Sequence, residues 1–174
     1  MGYYKDEVKT AEVMTDDWFH TGDIGRMDDG FLKITDRKKE MFKTSGGKYV
    51  APQLLENALK ASLFIEQVMV VGDGQKFPGA LVVPNVDAVA EWCKRKDHSF
   101  PGMEGIRDDA RIAARIQEDV NRLMEPFAQW EKVKAIRVLP TMFAIENGEL
   151  TPTLKLKRKP IKEHYQGEID QLYA

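Results

Sequence analysis

Apolar residues recur along this chain with two periods, and the two alternate. After Pro52, a residue that the first turn of a helix tolerates, Leu54, Leu55, Ala58 and Leu59 fall at helical spacing and predict a helix through Lys60. Val68 to Val71 and Ala80 to Val83 are short continuous apolar runs, separated by Gly72-Asp73-Gly74 and Pro78-Gly79, and read as paired strands joined by a loop. Helical spacing returns at about 86–96 and again at about 108–124, where Ile112, Ile116, Val120 and Leu123 form a stripe that faces a core. Between them, 98–105 contains Pro101 and two glycines and reads as a loop. A strand over 133–139, a turn at Asn147-Gly148 and a closing helix over 160–172 complete the pattern.

The first third is different. Two strand candidates, 23–27 and 31–35, flank the turn signal Asp28-Asp29-Gly30. Helices and strands are mixed rather than regularly alternating from 36 onward, so the fold class is α+β. Near the C-terminus, alternation from Thr151 to Lys157 would place Thr151, Thr153, Lys155 and Lys157 on one side of an extended segment, which Pro152 confines to an edge strand or a loop.

Composition narrows the function. The 174 residues give room for one ordinary domain, and a net charge of −2 with 31% charged residues argues for a well-solvated surface and against nucleic-acid binding. The basic run Lys155 to Lys159 has no aromatic platforms beside it, which weakens that reading further. A single cysteine, Cys93, excludes an internal disulfide and fits a reducing compartment; its helical surroundings suit packing rather than nucleophilic chemistry. His20, His98 and His164 lie far apart and predict no metal site. No apolar run nears the roughly 20 residues that span a bilayer, so the expected location is cytoplasmic, with room for peripheral membrane contact.

Candidate chemistry concentrates at Thr21-Gly22-Asp23, Asp36-Arg37, Ser45-Gly46-Gly47-Lys48 and the segment around Lys155. Each has a plain reading: a glycine turn, a polar strand end, a solvated lysine loop. Their combination is more specific. The strings G-Y-Y-K-D-E-V from Gly2, W-F-H-T-G-D-I-G from Trp18, I-T-D-R-K-K-E-M-F-K-T-S-G-G-K-Y-V-A-P from Ile34 and L-T-P-T-L-K-L-K-R from Leu150 resemble the adenylate-forming enzymes, most closely their long-chain fatty-acid CoA ligase branch.

That resemblance implies a mobile C-terminal domain at 36–174 behind a β-rich remnant of a large N-terminal domain at 1–35, whose phosphate-binding loop and acyl-binding portion have no counterpart here. It implies ATP, CoA and Mg2+ as cofactors, the metal held mainly by the large domain, and a fatty acid as substrate. By matching motif, Lys155 is the catalytic cation, Asp23 and Arg37 approach the ribose, Asp36 is the hinge, and Gly46, Gly47 and Lys48 meet the pantetheine arm. Lys157 and Arg158 are candidates for the CoA phosphates, and Glu56 is a weaker site candidate. Trp18, Phe19 and Ile24 would lack their usual cover, leaving an apolar patch or a dimer contact. A ligase for another carboxylate and a non-catalytic binding module of this fold remain the alternatives.

Overall fold

A computed structural model describes residues 2–174, the side chain of Asp36 excepted. The chain begins with helix α1 (Glu7–Val13), the short pair β1 (Met14–Thr15) and β2 (Trp18–Phe19), and the hairpin β3 (Asp23–Asp28) and β4 (Phe31–Arg37). A second short pair, β5 (Phe42–Lys43) and β6 (Tyr49–Val50), leads into helix α2 (Pro52–Leu59) and strands β7 (Ile65–Val71) and β8 (Gly79–Pro84). Helices α3 (Val86–Arg95), α4 (Gly102–Ile106) and α5 (Ala110–Leu123), strand β9 (Ala135–Val138) and helices α6 (Arg158–His164) and α7 (Gln166–Tyr173) follow. The architecture is α+β, as the sequence pattern predicts.

The central sheet has the order β7-β8-β9, with β7 antiparallel and β9 parallel to β8. Every residue of β8 is buried, because helices or loops cover both of its faces, and this explains its unbroken apolar run. Strand alternation then divides the core in two. Val68, Val70, Ala80 and Val82 pack with Leu55, Leu59, Val89, Cys93, Ile112, Ile116 and Val120. Met69, Val71, Leu81 and Val83 pack with Leu139, Phe143, Leu150, Ile161 and Ile169. The second cluster therefore supports the segment that carries Lys155.

Helix starts follow local chemistry. Asn85 caps α3 by accepting the Ala88 N–H at 3.0 Å, and Asp109 caps α5 by accepting those of Arg111 and Ile112 at 2.9 and 3.3 Å. Hydrogen bonding to Arg111 is the largest of the causes that lower the Asp109 carboxyl to about 2. Burial raises the Cys93 thiol, in keeping with a packing role.

Two expectations need correction. The segment expected as a loop over 98–105 contains α4, which opens at Gly102 with φ of 74° and closes by burying Ile106. The single closing helix is two: Tyr165 leaves helical conformation with φ −111° and sets its ring edge-on to Phe143 at 5.8 Å. Of the two forms open to Thr151–Lys157, an edge strand or a loop, the chain takes the loop, described below.

At the N-terminal end the predicted turn is present, with Asp29 and Gly30 at φ of 49° and 83° between partners Asp28 and Phe31, the backbone a two-residue hairpin demands. A two-stranded hairpin has no layer to bury its side chains. Trp18 (77% exposed), Phe19, Met27, Phe31, Leu32 and Ile34 face solvent, while Ile24 is half-buried.

Candidate nucleotide and lysine-loop site

Strand register brings the first two candidates together. Asp23 and Arg37 are direct partners at the open end of the β3–β4 hairpin, and Arg37 Nε lies 3.4 Å from Asp23 Oδ1. The turn before Asp23 is fixed by Gly22, whose φ is 76°, whose carbonyl accepts the Lys38 N–H at 2.8 Å, and by the Thr21 hydroxyl, which accepts the Asp23 N–H at 3.1 Å. The pair sits in the wall of a cleft of about 960 Å³ that His20 and Lys38 also line. An acceptor beside a donor at the rim of such a cleft suits a sugar diol. Backbone pairing also places Asp36 opposite Ile24, at the register shift between Ile24 and Gly25.

Lys155 stands on a closed loop rather than a strand. Leu150 and Leu156 form an isolated antiparallel bridge, the Thr151 N–H donates to the Lys155 carbonyl at 2.9 Å, and the Lys155 N–H donates to the Thr151 hydroxyl at 3.0 Å. The Thr151 side chain thus competes for a backbone donor that a strand would have used. Closure forces Leu154 to φ of 59°, a conformation that strains a non-glycine residue by about 1–2 kcal/mol. Lys155 is exposed and lines a cleft of about 160 Å³ together with Arg37, Glu40, Lys60 and Arg158. Arg37 is therefore common to both clefts.

Gly46, Gly47 and Lys48 lie apart from these clefts. In the β5–β6 turn the buried Thr44 hydroxyl accepts the Lys48 N–H at 3.2 Å, and Ser45 N–H donates to the Gln75 carbonyl at 2.9 Å, so the turn is anchored on the neighbouring 72–75 loop. Gly47 needs its φ of 79°, whereas Gly46 needs no special conformation. A side chain at Gly46 would meet only the Thr44 hydroxyl, at 3.9 Å, so the outer side of this turn is open to close approach. Lys48 Nζ lies 5.2 Å from the centre of the Trp130 ring, and Lys43 Nζ 5.6 Å from that of Tyr49. Sequence reading missed Trp130 and Tyr49; both are large exposed aromatics beside lysines, and only folding brings Trp130 to Lys48.

Arg158 is not a free phosphate ligand, which corrects its reading. Its Nη1 and Nη2 donate to the two carboxylate oxygens of Glu56 at 2.7 Å each, and its Nε donates to Glu40 at 3.2 Å. Glu56, almost fully buried, also accepts the Val70 N–H at 2.8 Å. Burial raises the Glu56 carboxyl against the pull of Arg158 and Val70. Burial also opposes the Arg158 charge, but the Glu56 and Glu40 carboxylates outweigh it and raise the guanidinium. Glu56 is thus a structural anchor. Lys157, by contrast, is exposed.

Among the described residues, no group of three or more His, Cys, Asp or Glu side chains converges as a metal site, and no helix is long and apolar enough to cross a membrane.

The chain belongs to the AMP-binding enzyme C-terminal domain family, which it matches over residues 40–174. It is 41% identical over 174 residues to the long-chain-fatty-acid–CoA ligase FadD15 of Mycobacterium tuberculosis, covering 99% of this chain and 29% of that relative. It is 41% identical over 182 residues to human long-chain-fatty-acid–CoA ligase 1, covering 99% of this chain and 25% of that relative. Among solved structures, it is similar to the A domain of carboxylic acid reductase from Segniliparus rugosus in complex with AMP and a co-purified carboxylic acid, with a TM-score of 0.79, 28% identity, and coverage of 99% and 26% of the two chains. The chain thus spans between a quarter and a third of the length of the curated relatives it matches.

Proposed function

We propose that this chain is the C-terminal part of an ATP-dependent long-chain fatty-acid CoA ligase, with residues 36–174 as the mobile domain and 1–35 as a piece of the large domain before it. The observation that carries the reading is the placement of Asp23, Arg37 and Lys155 around two clefts that share Arg37. Identity of 41% to long-chain fatty-acid CoA ligases supports the substrate class.

In the first half-reaction the fatty-acid carboxylate attacks the α-phosphate of ATP and pyrophosphate leaves. Both partners are anions, so the ammonium of Lys155 lowers the barrier by neutralising charge that builds on the reacting oxygens. Asp23 accepts hydrogen bonds from ribose hydroxyls, and Arg37 holds Asp23 in place while contacting the same sugar. ATP fits this donor and acceptor set. Mg2+ supplies charge neutralisation on the triphosphate, but the described residues offer no cluster to hold it, so no step is assigned to it.

In the second half-reaction the CoA thiol attacks the acyl-adenylate carbonyl and AMP leaves. Asp36 is the penultimate residue of β4 and pairs across a register shift, a place where a few residues can absorb the rotation that exchanges the two poses. Rotation presents Gly46 and Gly47, whose open outer side admits the pantetheine arm, with Lys48 alongside. The exposed apolar residues of β2 to β4 suit a surface that the large domain covers, and the isolated chain is nearly inert by itself.

The test is an assay of the natural full-length polypeptide for pyrophosphate release and acyl-CoA formation with ATP, CoA and palmitate. Palmitoyl-CoA formation supports the reading. Activity confined to a short or aromatic acid moves the protein to another ligase specificity, and no adenylation of any acid supports a binding module.

A further inference from the structure

Glu149 has one of the most buried side chains in the molecule, at 1% exposure, and it stands at the root of the Lys155 loop. Its backbone carbonyl accepts the Lys157 N–H at 2.8 Å, which makes it the first rung below the Leu150–Leu156 bridge and the Thr151–Lys155 hydrogen bond. Lys155 lies at the top of this short ladder.

The Glu149 carboxylate is surrounded by donors from two sides. One oxygen accepts the Ala144 N–H at 3.0 Å and approaches the Asn147 amide at 3.5 Å, closing the turn that delivers the chain into the loop. The other pairs with His164 Nδ1 at 3.1 Å, on the last turn of α6. Burial raises the Tyr165 hydroxyl, and the nearby Glu149 charge raises it further. Helix α6 is itself fixed by the Arg158–Glu56 pair and by fully buried Ile161.

A leucine at this position would fill the same space but would leave the Ala144 N–H without its acceptor. A buried, fully partnered acid fixes one arrangement where an apolar contact tolerates several. The strained Leu154, one residue before Lys155, needs such constraint, because a leucine holds φ of 59° only where its surroundings over-determine it. We propose that Glu149 is a positioning residue for Lys155: docked on His164, it sets the loop on α6 and thereby fixes where the ammonium stands. This rests on Lys155 being the cation of the adenylation step.

The experiment measures the two half-reactions separately in the natural full-length polypeptide, for wild type, Glu149→Gln, His164→Ala and His164→Asn, with Lys155→Ala alongside. Gln keeps the shape of Glu149 but has one oxygen to serve two sets of donors, and the Asn amide supplies a donor in place of Nδ1. Glu149→Gln and His164→Ala lower kcat for adenylation roughly 10- to 100-fold with KM for ATP little changed, the scale of a slightly misplaced catalytic group. Both leave thioester formation from preformed acyl-adenylate near wild type, and His164→Asn recovers most of the adenylation rate.

Equal loss in both half-reactions, or wild-type adenylation in variants that unfold at the wild-type temperature, overturns the assignment. Because His164 is about half exposed, its two variants decide the matter even where Glu149→Gln does not fold. If Lys155→Ala spares adenylation, the reading of Lys155 falls and this assignment with it. If Lys155→Ala abolishes adenylation while the Glu149 and His164 variants match wild type, only the positioning role falls.

Discussion

Arg158 grips both oxygens of Glu56 through two bonds of 2.7 Å, although the residues lie 102 positions apart in the chain. The pair joins α2, β7 and α6, since Glu56 also takes the Val70 N–H and Arg158 reaches Glu40 beyond the end of β4. The guanidinium that seemed poised for a CoA phosphate instead ties the base of the Lys155 loop to the segment that leaves the hairpin.

Breaking that pair from one side leaves a buried charge without its bidentate partner. Glu56→Ala is expected to destabilise the chain by about 3–5 kcal/mol, whereas Glu56→Leu combined with Arg158→Met costs much less than the two single changes together. A double-mutant cycle by denaturant unfolding measures this, and additive single effects would contradict it.

Asp109 gives a pH signature of stability. Its carboxyl is lowered to about 2, first by the Arg111 hydrogen bond, so its folded pKa lies below its unfolded value. The stability it contributes is therefore fully present above the ordinary carboxyl range near 4 and is lost as pH falls through about 2. Asn keeps the helix cap but not the charge. The difference in unfolding free energy between wild type and Asp109→Asn should be flat above about pH 5 and shrink steadily below about pH 4; a difference that grows on acidification would contradict the sign.

Much of this fold was legible because single-period patterns are local. The buried run of β8, the Ile112-Ile116-Val120 stripe of α5 and the Asp29-Gly30 turn each follow from a few adjacent residues. What escaped depends on partners far away in sequence or on a side chain that intervenes. Pro152 left Thr151–Lys157 open between an edge strand and a loop, and it is the Thr151 hydroxyl, by capturing the Lys155 N–H, that decides for the loop. A basic run cannot reveal that Arg158 is matched by Glu56, nor that Trp130 comes to lie under Lys48. Tyr165 interrupts the closing helix for a ring contact with Phe143. At the site, strand register sets Arg37 Nε 3.4 Å from Asp23 Oδ1, and folding brings Lys155 into a cleft that Arg37 also lines.

The two glycines of the β5–β6 turn should respond differently. Gly47→Ala places a side chain at φ of 79°, a strain of about 1 kcal/mol, and lowers the unfolding temperature; Gly46→Ala meets only Thr44 at 3.9 Å and leaves it nearly unchanged. In the full-length polypeptide, Gly46→Ala should still slow thioester formation while sparing adenylation, because the added methyl occupies the side proposed for the pantetheine arm. Equal unfolding temperatures for the two variants would contradict the backbone argument, and an unchanged thioester rate would remove the turn from the CoA path.

The most direct test of the account is the rate of adenylation, measured as pyrophosphate release with ATP and palmitate, in the natural full-length polypeptide and in its Lys155→Ala variant. The account predicts a loss of roughly 10²–10³-fold, the scale of a removed electrostatic stabiliser, with thioester formation from preformed acyl-adenylate retained. Equal loss in both half-reactions, or full adenylation without Lys155, would contradict the role assigned to this residue.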